Sequence, residues 1–254
     1  MATYKKRGYK PKTKKEQEDL AEENSTTAEV FSTLDEGASK TEQWVVKNQN
    51  YILGVIGAIA IVVLGYLGYN RFVAEPQAKE AMNEMYQAKS YFEDAVSGIS
   101  PDSLYTMSLN GGEGKYGMLD IINEYSGTPA ANLANYYAGM AYLNLKDYSN
   151  AITYLSDFSS DDKMLAPIAL GGIGDAFAQL EQPEDALDYY EKAFKKSINN
   201  YTTPMYLMKA AQIAMDLGDN AKALDYLKRI ETEFPNSNEA STVEVLIGKV
   251  EASM

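Results

Sequence analysis

By its apolar and polar positions the chain divides into a polar head, one uninterrupted apolar run and a long amphipathic remainder. The run, YILGVIGAIAIVVLGYLGY at 51–69, holds no charge and stops abruptly at Asn70 and Arg71. Before it, Val30, Phe31 and Leu34, then Trp44, Val45 and Val46, predict two short helices separated near Gly37, the second capped by Ser39. After it, Pro76 starts a helix along which Ala78, Ala81, Met82, Met85, Ala88, Phe92 and Ala95 recur at helical spacing, and Gly98 ends it.

From residue 117 the pattern repeats. Pro129, Pro167 and Pro204 each precede a helical pattern, at spacings of 38 and 37. Proline suits a first helical turn, where its missing N–H is not needed. Ala151, Ala186 and Ala223, at spacings of 35 and 37, open the similar phrases AITYLSDF, ALDYYEKAF and ALDYLKRI. A small side chain there lets two antiparallel helices approach closely, and the large residues after it fill the seam. Stacked helical hairpins are therefore expected over 129–238, with an atypical pair before them in 77–126 and a covering helix near 239–252.

The apolar run is long enough to cross a bilayer, which takes about 20 apolar residues of helix. It begins later than a cleavable signal does, and no clear small-x-small site follows it. Trp44, Tyr51, Tyr66 and Tyr69 stand near its ends, where amphipathic rings favour the headgroup region. It reads as an uncleaved single span. Gly54, Ala58, Ile61, Gly65 and Gly68 follow four-three-four-three spacing along one side, and four of the five are small. Close approach over small residues drives helix association in lipid, so this side reads as a docking face; since glycine is common in spans, an incidental stripe is the alternative. The segments are then a basic, mostly disordered head at 1–50 with short juxtamembrane helices, the span at 51–69, a helical stalk and degenerate first repeat at 70–128, and the repeats with their cap at 129–254.

Composition narrows the chemistry. The chain has 254 residues and a formal charge of −13, unevenly placed: nine Lys/Arg and nine Asp/Glu in residues 1–50, 14 and 27 in the rest. The acidic remainder repels phosphates, which argues against nonspecific nucleic-acid binding by it. The nine basic residues of the short head favour its staying on the cytoplasmic side. Seven of them lie between Lys5 and Lys15. That cluster reads as a solvated tail that helps fix topology, or as a patch for anionic lipid or structured RNA such as a ribosome's, with Tyr4 and Tyr9 placed to stack.

Histidine and cysteine are absent. That removes thiolate nucleophiles, Ser-His-Asp triads and the usual zinc sites. Carboxylate-only catalysis and oxygen-ligated metal stay open in principle, but no constellation for either is visible, and no cofactor is expected. LNGGEGKYG lacks the residues of a phosphate loop, because Leu109 holds the first glycine place and Tyr116 follows Lys115; it reads as a connector. GGIGD at 171–175 falls inside a repeat helix, where Gly174 reads as a close-packing position. DFSSDD at 157–162 reads as a solvated inter-repeat loop.

The stretch AGMAYLNLKDYSNAITYL resembles a tetratricopeptide repeat, with Gly139 at the small first-helix position, Tyr142 and Tyr148 at the aromatic positions and Ala151 at the second-helix alanine. A second copy supplies Gly174, Phe177, Ala186 and Tyr190, with Pro183 in place of the turn aromatic; a third supplies Ala211, Ala223, Leu227 and Pro235. The resemblance implies an all-α fold, a transmembrane helix followed by a tetratricopeptide solenoid. It also implies a partner groove on the face of the first helices. In this register the groove holds Tyr136, Met140 and Leu143, then Ile168, Asp175 and Gln179, then Met205, Met208, Gln212 and Met215. Methionine suits a surface that accepts varied apolar segments, and equally suits ordinary core filling. Tyr136 and Met140 stand where carboxylate-clamp repeats carry Lys and Asn, which argues against such a clamp.

The layout from Trp44 onward also resembles YfgM-like proteins, single-span tetratricopeptide proteins of the bacterial inner membrane. That likeness implies a cytoplasmic N-terminus, a periplasmic repeat domain and an ancillary role at the Sec translocon. The implied partners are the PpiD-like periplasmic chaperone and unfolded or emerging secretory chains, besides membrane lipid. A scaffold for a signalling or envelope-assembly complex, independent of the translocon, is the alternative.

Overall fold

The computed structural model describes residues 13–98 and 100–254. Two units result, one ending at Tyr69 and the other running from Asn70 to Met254.

The first unit is α1 (Lys14–Tyr69), one helix that passes through Gly37. The break expected there does not occur. Leu20, Ala21, Ala28, Leu34 and Ala38 are helix formers spread through the segment, and one glycine costs a helix only about 1 kcal/mol. The basic head through Lys12, with Tyr4 and Tyr9, lies outside the described residues, as do the side chains of Val30, Phe31 and Leu34. Residues 51–69 would span about 28 Å of helix, close to a bilayer's hydrocarbon thickness. Tyr51, Leu53, Ile56, Ile61, Leu64 and Leu67 are all exposed, so this stretch of the helix presents apolar side chains on every side. It is long and apolar enough to cross a membrane.

The second unit opens with a π-helical turn (Asn70–Ala74), across whose end Arg71 pairs with Glu75 at 2.5 Å. Then follow α2 (Glu75–Val96), α3 (Pro101–Asn110) and α4 (Met118–Glu124). Ala81, Met85, Ala88 and Ala95 form the buried stripe of α2, which packs on α3 and on the next long helix. The glycine-rich loop between α3 and α4 is a connector closed by a bridge between Gly112 and Lys115. A Cβ on Gly117 would run into the backbone of Leu109 and Gly111, so only glycine fits that crossing.

Three helical hairpins come next: α5 (Pro129–Asn144) with α6 (Tyr148–Asp157), α7 (Leu165–Gln179) with α8 (Pro183–Lys196), and α9 (Thr202–Asp216) with α10 (Asn220–Glu233). A last helix, α11 (Ala240–Glu251), lies on α10 and covers its apolar face with Val243 and Val250. Local chemistry sets the ends. The Thr128, Asp147 and Asp219 side chains accept from the N–H groups of Ala131, Asn150 and Lys222, capping α5, α6 and α10. Asp162 does so for α7, accepting from Met164 and Leu165 at 2.8 Å each.

Each hairpin turn has the same form. The N–H of Asp147 donates to the carbonyl of Tyr142 and that of Lys146 to Leu143; Gln182 and Glu181, then Asp219 and Gly218, repeat the pair. This C-terminal motif needs one left-handed residue. Lys146 (φ 64), Glu181 (φ 58) and Gly218 (φ 75) supply it.

The alanine ladder sits where the sequence puts it: Ala151, Ala186 and Ala223 are fully buried. Opposite it, a Cβ on Gly139 would meet Leu155 at 2.5 Å, and one on Gly174 would meet Tyr190 at 2.7 Å. Within the first two hairpins the first helix therefore touches the second through glycine, while in the third the buried Ala211 holds that place, and the fold is an all-α solenoid following one long apolar helix.

Candidate partner-binding face

The first helices α5, α7 and α9 neighbour one another directly, so their side chains form one surface across the three repeats. Tyr136, Met140 and Leu143 are half-buried on it, as are Ile168 and Asp175, then Met205 and Met215; Gln179 and Gln212 are exposed. Tyr136 and Met140 pack on the small core of Leu155, Ala169 and Ile173, while Met205 and Met215 pack on the large C-terminal core.

Met208 differs from the sequence reading. It is 9% exposed and belongs to the core, not to an open groove. The alternative of core filling thus applies to this methionine.

The centre of the face is a polar cluster drawn from three helices. Asp175 on α7 accepts from the Tyr190 hydroxyl of α8 at 2.7 Å and from Lys209 of α9 at 2.5 Å. Tyr190 and Tyr206 stack with centroids 6.2 Å apart, and the Lys209 ammonium lies 5.7 and 5.8 Å from the two rings. Burial, then the nearby Asp175 carboxylate, pushes both phenols well above their ordinary range, so both stay neutral and Tyr190 serves as the donor. Asp175 and Lys209 remain 32% and 34% exposed, which leaves their ion pair open to solvent and to an incoming chain. At that exposure the pair adds little stability.

Sequence reasoning found Asp175 but missed Tyr190, Tyr206 and Lys209 as its company. The signal was present: Asp175 and Lys209 lie 34 residues apart, near one repeat period, on first helices. Chemically the face offers apolar half-buried side chains, exposed amides and one compensated charge pair. That suits contact with a polypeptide. Among the described residues no group of three metal-ligating side chains occurs.

A tetratricopeptide-repeat family model matches residues 166–238, and another matches residues 133–161. No curated protein and no solved structure matches the chain. The matched segments coincide with the three hairpins, and they make this part of the chain a run of tetratricopeptide repeats, a scaffold for protein–protein interaction.

Proposed function

We propose that the protein is a membrane-anchored adaptor, held by residues 51–69, that presents its tetratricopeptide face to protein partners as an ancillary component of the Sec translocon. The observation that carries this reading is the joining, in one chain, of an apolar helical segment with its large side chains exposed to repeats whose first-helix face is partly apolar and partly polar. The likeness of the layout to YfgM-like proteins supports the translocon as the place of work, with a PpiD-like chaperone and emerging secretory chains as partners. In this reading the head is cytoplasmic and the repeats are periplasmic.

Two experiments test it. Affinity purification of the full chain from solubilised membranes, with partners identified by mass spectrometry, is expected to recover translocon subunits. Recovery of a signalling or envelope-assembly complex without them overturns the translocon role in favour of the independent scaffold. Single cysteines at Ser39 and Ser149, placed in a naturally cysteine-free chain, test the topology. An impermeant thiol reagent on intact spheroplasts is expected to label Ser149→Cys and spare Ser39→Cys; the opposite pattern reverses the orientation.

A further inference from the structure

A second feature lies away from the first-helix face, where α6, α7 and α8 meet. A cavity of 310 Å³ opens there, floored by Leu155, Ala166, Ala169 and Ile173, all buried, with Phe158 and Tyr189 as half-buried walls. Its mouth carries Lys192 and Lys196, one helical turn apart on α8.

The next repeat serves as an internal control. One period of 37 residues on, Ala166 becomes Thr203 and Ala169 becomes Tyr206. The Tyr206 ring is buried against Tyr190, and Phe194 is covered by the Arg229 guanidinium 5.3 Å from its centroid. The cavity thus exists because two alanines stand where the following repeat carries larger side chains. An apolar cavity with a few convergent polar groups is the usual form of a small-molecule site.

The lysines set the charge of the occupant. Lys192 pairs with Asp188 at 2.5 Å and Lys196 with Asp161 at 3.8 Å, all four side chains well exposed. Exposed pairs of this kind hold their partners weakly, so a carboxylate at the mouth competes for both ammonium groups. The walls set the chain type. The N–H and carbonyl of Ser159 are both occupied by the Asn132 side chain. In the interior of the two helices, at Ala169 and Ile173 of α7 and at Tyr189 and Lys192 of α8, the backbone is satisfied within the helix. A peptide entering here would leave its amides unpaired, at a cost a hydrocarbon tail does not bear.

We propose that this cavity binds the tail of a single-chain anionic amphiphile, a free fatty acid of medium length, with its carboxylate between Lys192 and Lys196. The inference does not rest on the partner-binding face, and its readout is label at the cavity, although Tyr136 and Met140 pack on the same small core. The full chain is reconstituted in nanodiscs and photolabelled with a diazirine-bearing dodecanoate, with the matching dodecanol as a second probe. Label on α1, from the bilayer, serves as the internal reference. Label on residues 155–173 or 189–196 is expected, competed by dodecanoate. Ala169→Phe, which imitates the next repeat, is expected to reduce it about tenfold with the melting temperature retained. Lys192→Gln with Lys196→Gln, on an exposed helix face, is expected to reduce labelling by the acid about tenfold while sparing the alcohol. Label confined to α1, label indifferent to the lysine pair, or equal competition by a peptide ending in leucine overturns the proposal; the last outcome makes the occupant a polypeptide.

Discussion

The ring of Tyr206 on α9 occupies the space that a side chain at Gly171 on α7 would fill. Two neighbouring repeats meet there through one residue reduced to hydrogen and one enlarged to a phenol. Gly171→Ala would drive a Cβ into that ring, and Tyr206 has little freedom because it stacks on Tyr190. The variant is expected to lose about 1–3 kcal/mol, read by urea denaturation. Tyr206→Leu should cost stability alone yet partly rescue Gly171→Ala, giving a non-additive double-mutant cycle. Strict additivity would mean the two residues do not share the space.

Met208 and Gln212, one turn apart on α9, are expected to behave oppositely. Met208→Glu places a charge among core residues and should cost about 3 kcal/mol or more. Gln212→Arg changes an exposed side chain, so the melting temperature should hold while partner recovery from solubilised membranes falls. Undiminished recovery with Gln212→Arg would remove this part of the face from partner contact.

Two hairpin turns carry a non-glycine residue in the left-handed region where the third has Gly218. Lys146→Gly and Glu181→Gly should each stabilise the fold by up to about 1 kcal/mol, because the relief of backbone strain exceeds the added freedom of the unfolded chain. Thermal melts of the two single variants and the double check this, and the effects should add, since the turns lie in different repeats.

Stability should be flat through neutral pH and fall at both ends. The chain has no histidine or cysteine to titrate between. Burial alone would raise Glu191, but hydrogen bonds from Lys195 and Tyr226 and the charges of Lys195 and Lys222 outweigh it and hold the carboxyl below its ordinary 4.5. The N–H groups of Leu165 and Met164 hold Asp162 below its ordinary 3.8. Folded values below unfolded ones mean that the unfolded chain binds more protons, so this stability is complete above about pH 5 and is lost as pH falls through the folded values. Burial raises the phenols of Tyr190, Tyr206 and Tyr226, so the opposite loss sets in once pH passes the ordinary phenol value of 10.0. Melting temperatures from about pH 3 to 11 should trace this plateau, and Glu191→Gln should flatten its acid edge.

The apolar segment at 51–69 carries its own test. Gly54, Gly65 and Gly68 have no neighbour within 4 Å of where a Cβ would stand, so larger residues are accommodated in the isolated helix. Gly54→Leu with Ala58→Leu and Gly65→Leu keeps the segment apolar and should leave membrane insertion intact. If this side docks on a translocon helix, co-purification should fall sharply. Unchanged co-purification would make the stripe incidental and move the contact to the head or the repeats.

The repeat architecture was legible in the sequence because it rests on short-range rules. Pro129 and the small residues of the alanine ladder act on their own helical turn, and the apolar run at 51–69 is set by composition alone; the caps Thr128, Asp147 and Asp219 were found only in the structure. The single helix through Gly37 was less legible, because a lone glycine is a weak stop whose outcome depends on everything around it. What tertiary structure decided was the fate of side chains one repeat apart. Tyr206 and Lys209 lie one turn apart on one side of α9 and Met208 on another, yet Tyr206 fills the space beside Gly171, Lys209 reaches Asp175 across the repeat boundary, and Met208 is core. Periodicity assigns a residue to a face of its own helix; how deep that face lies is set by the volumes on the neighbouring helix, which come from residues more than thirty positions away.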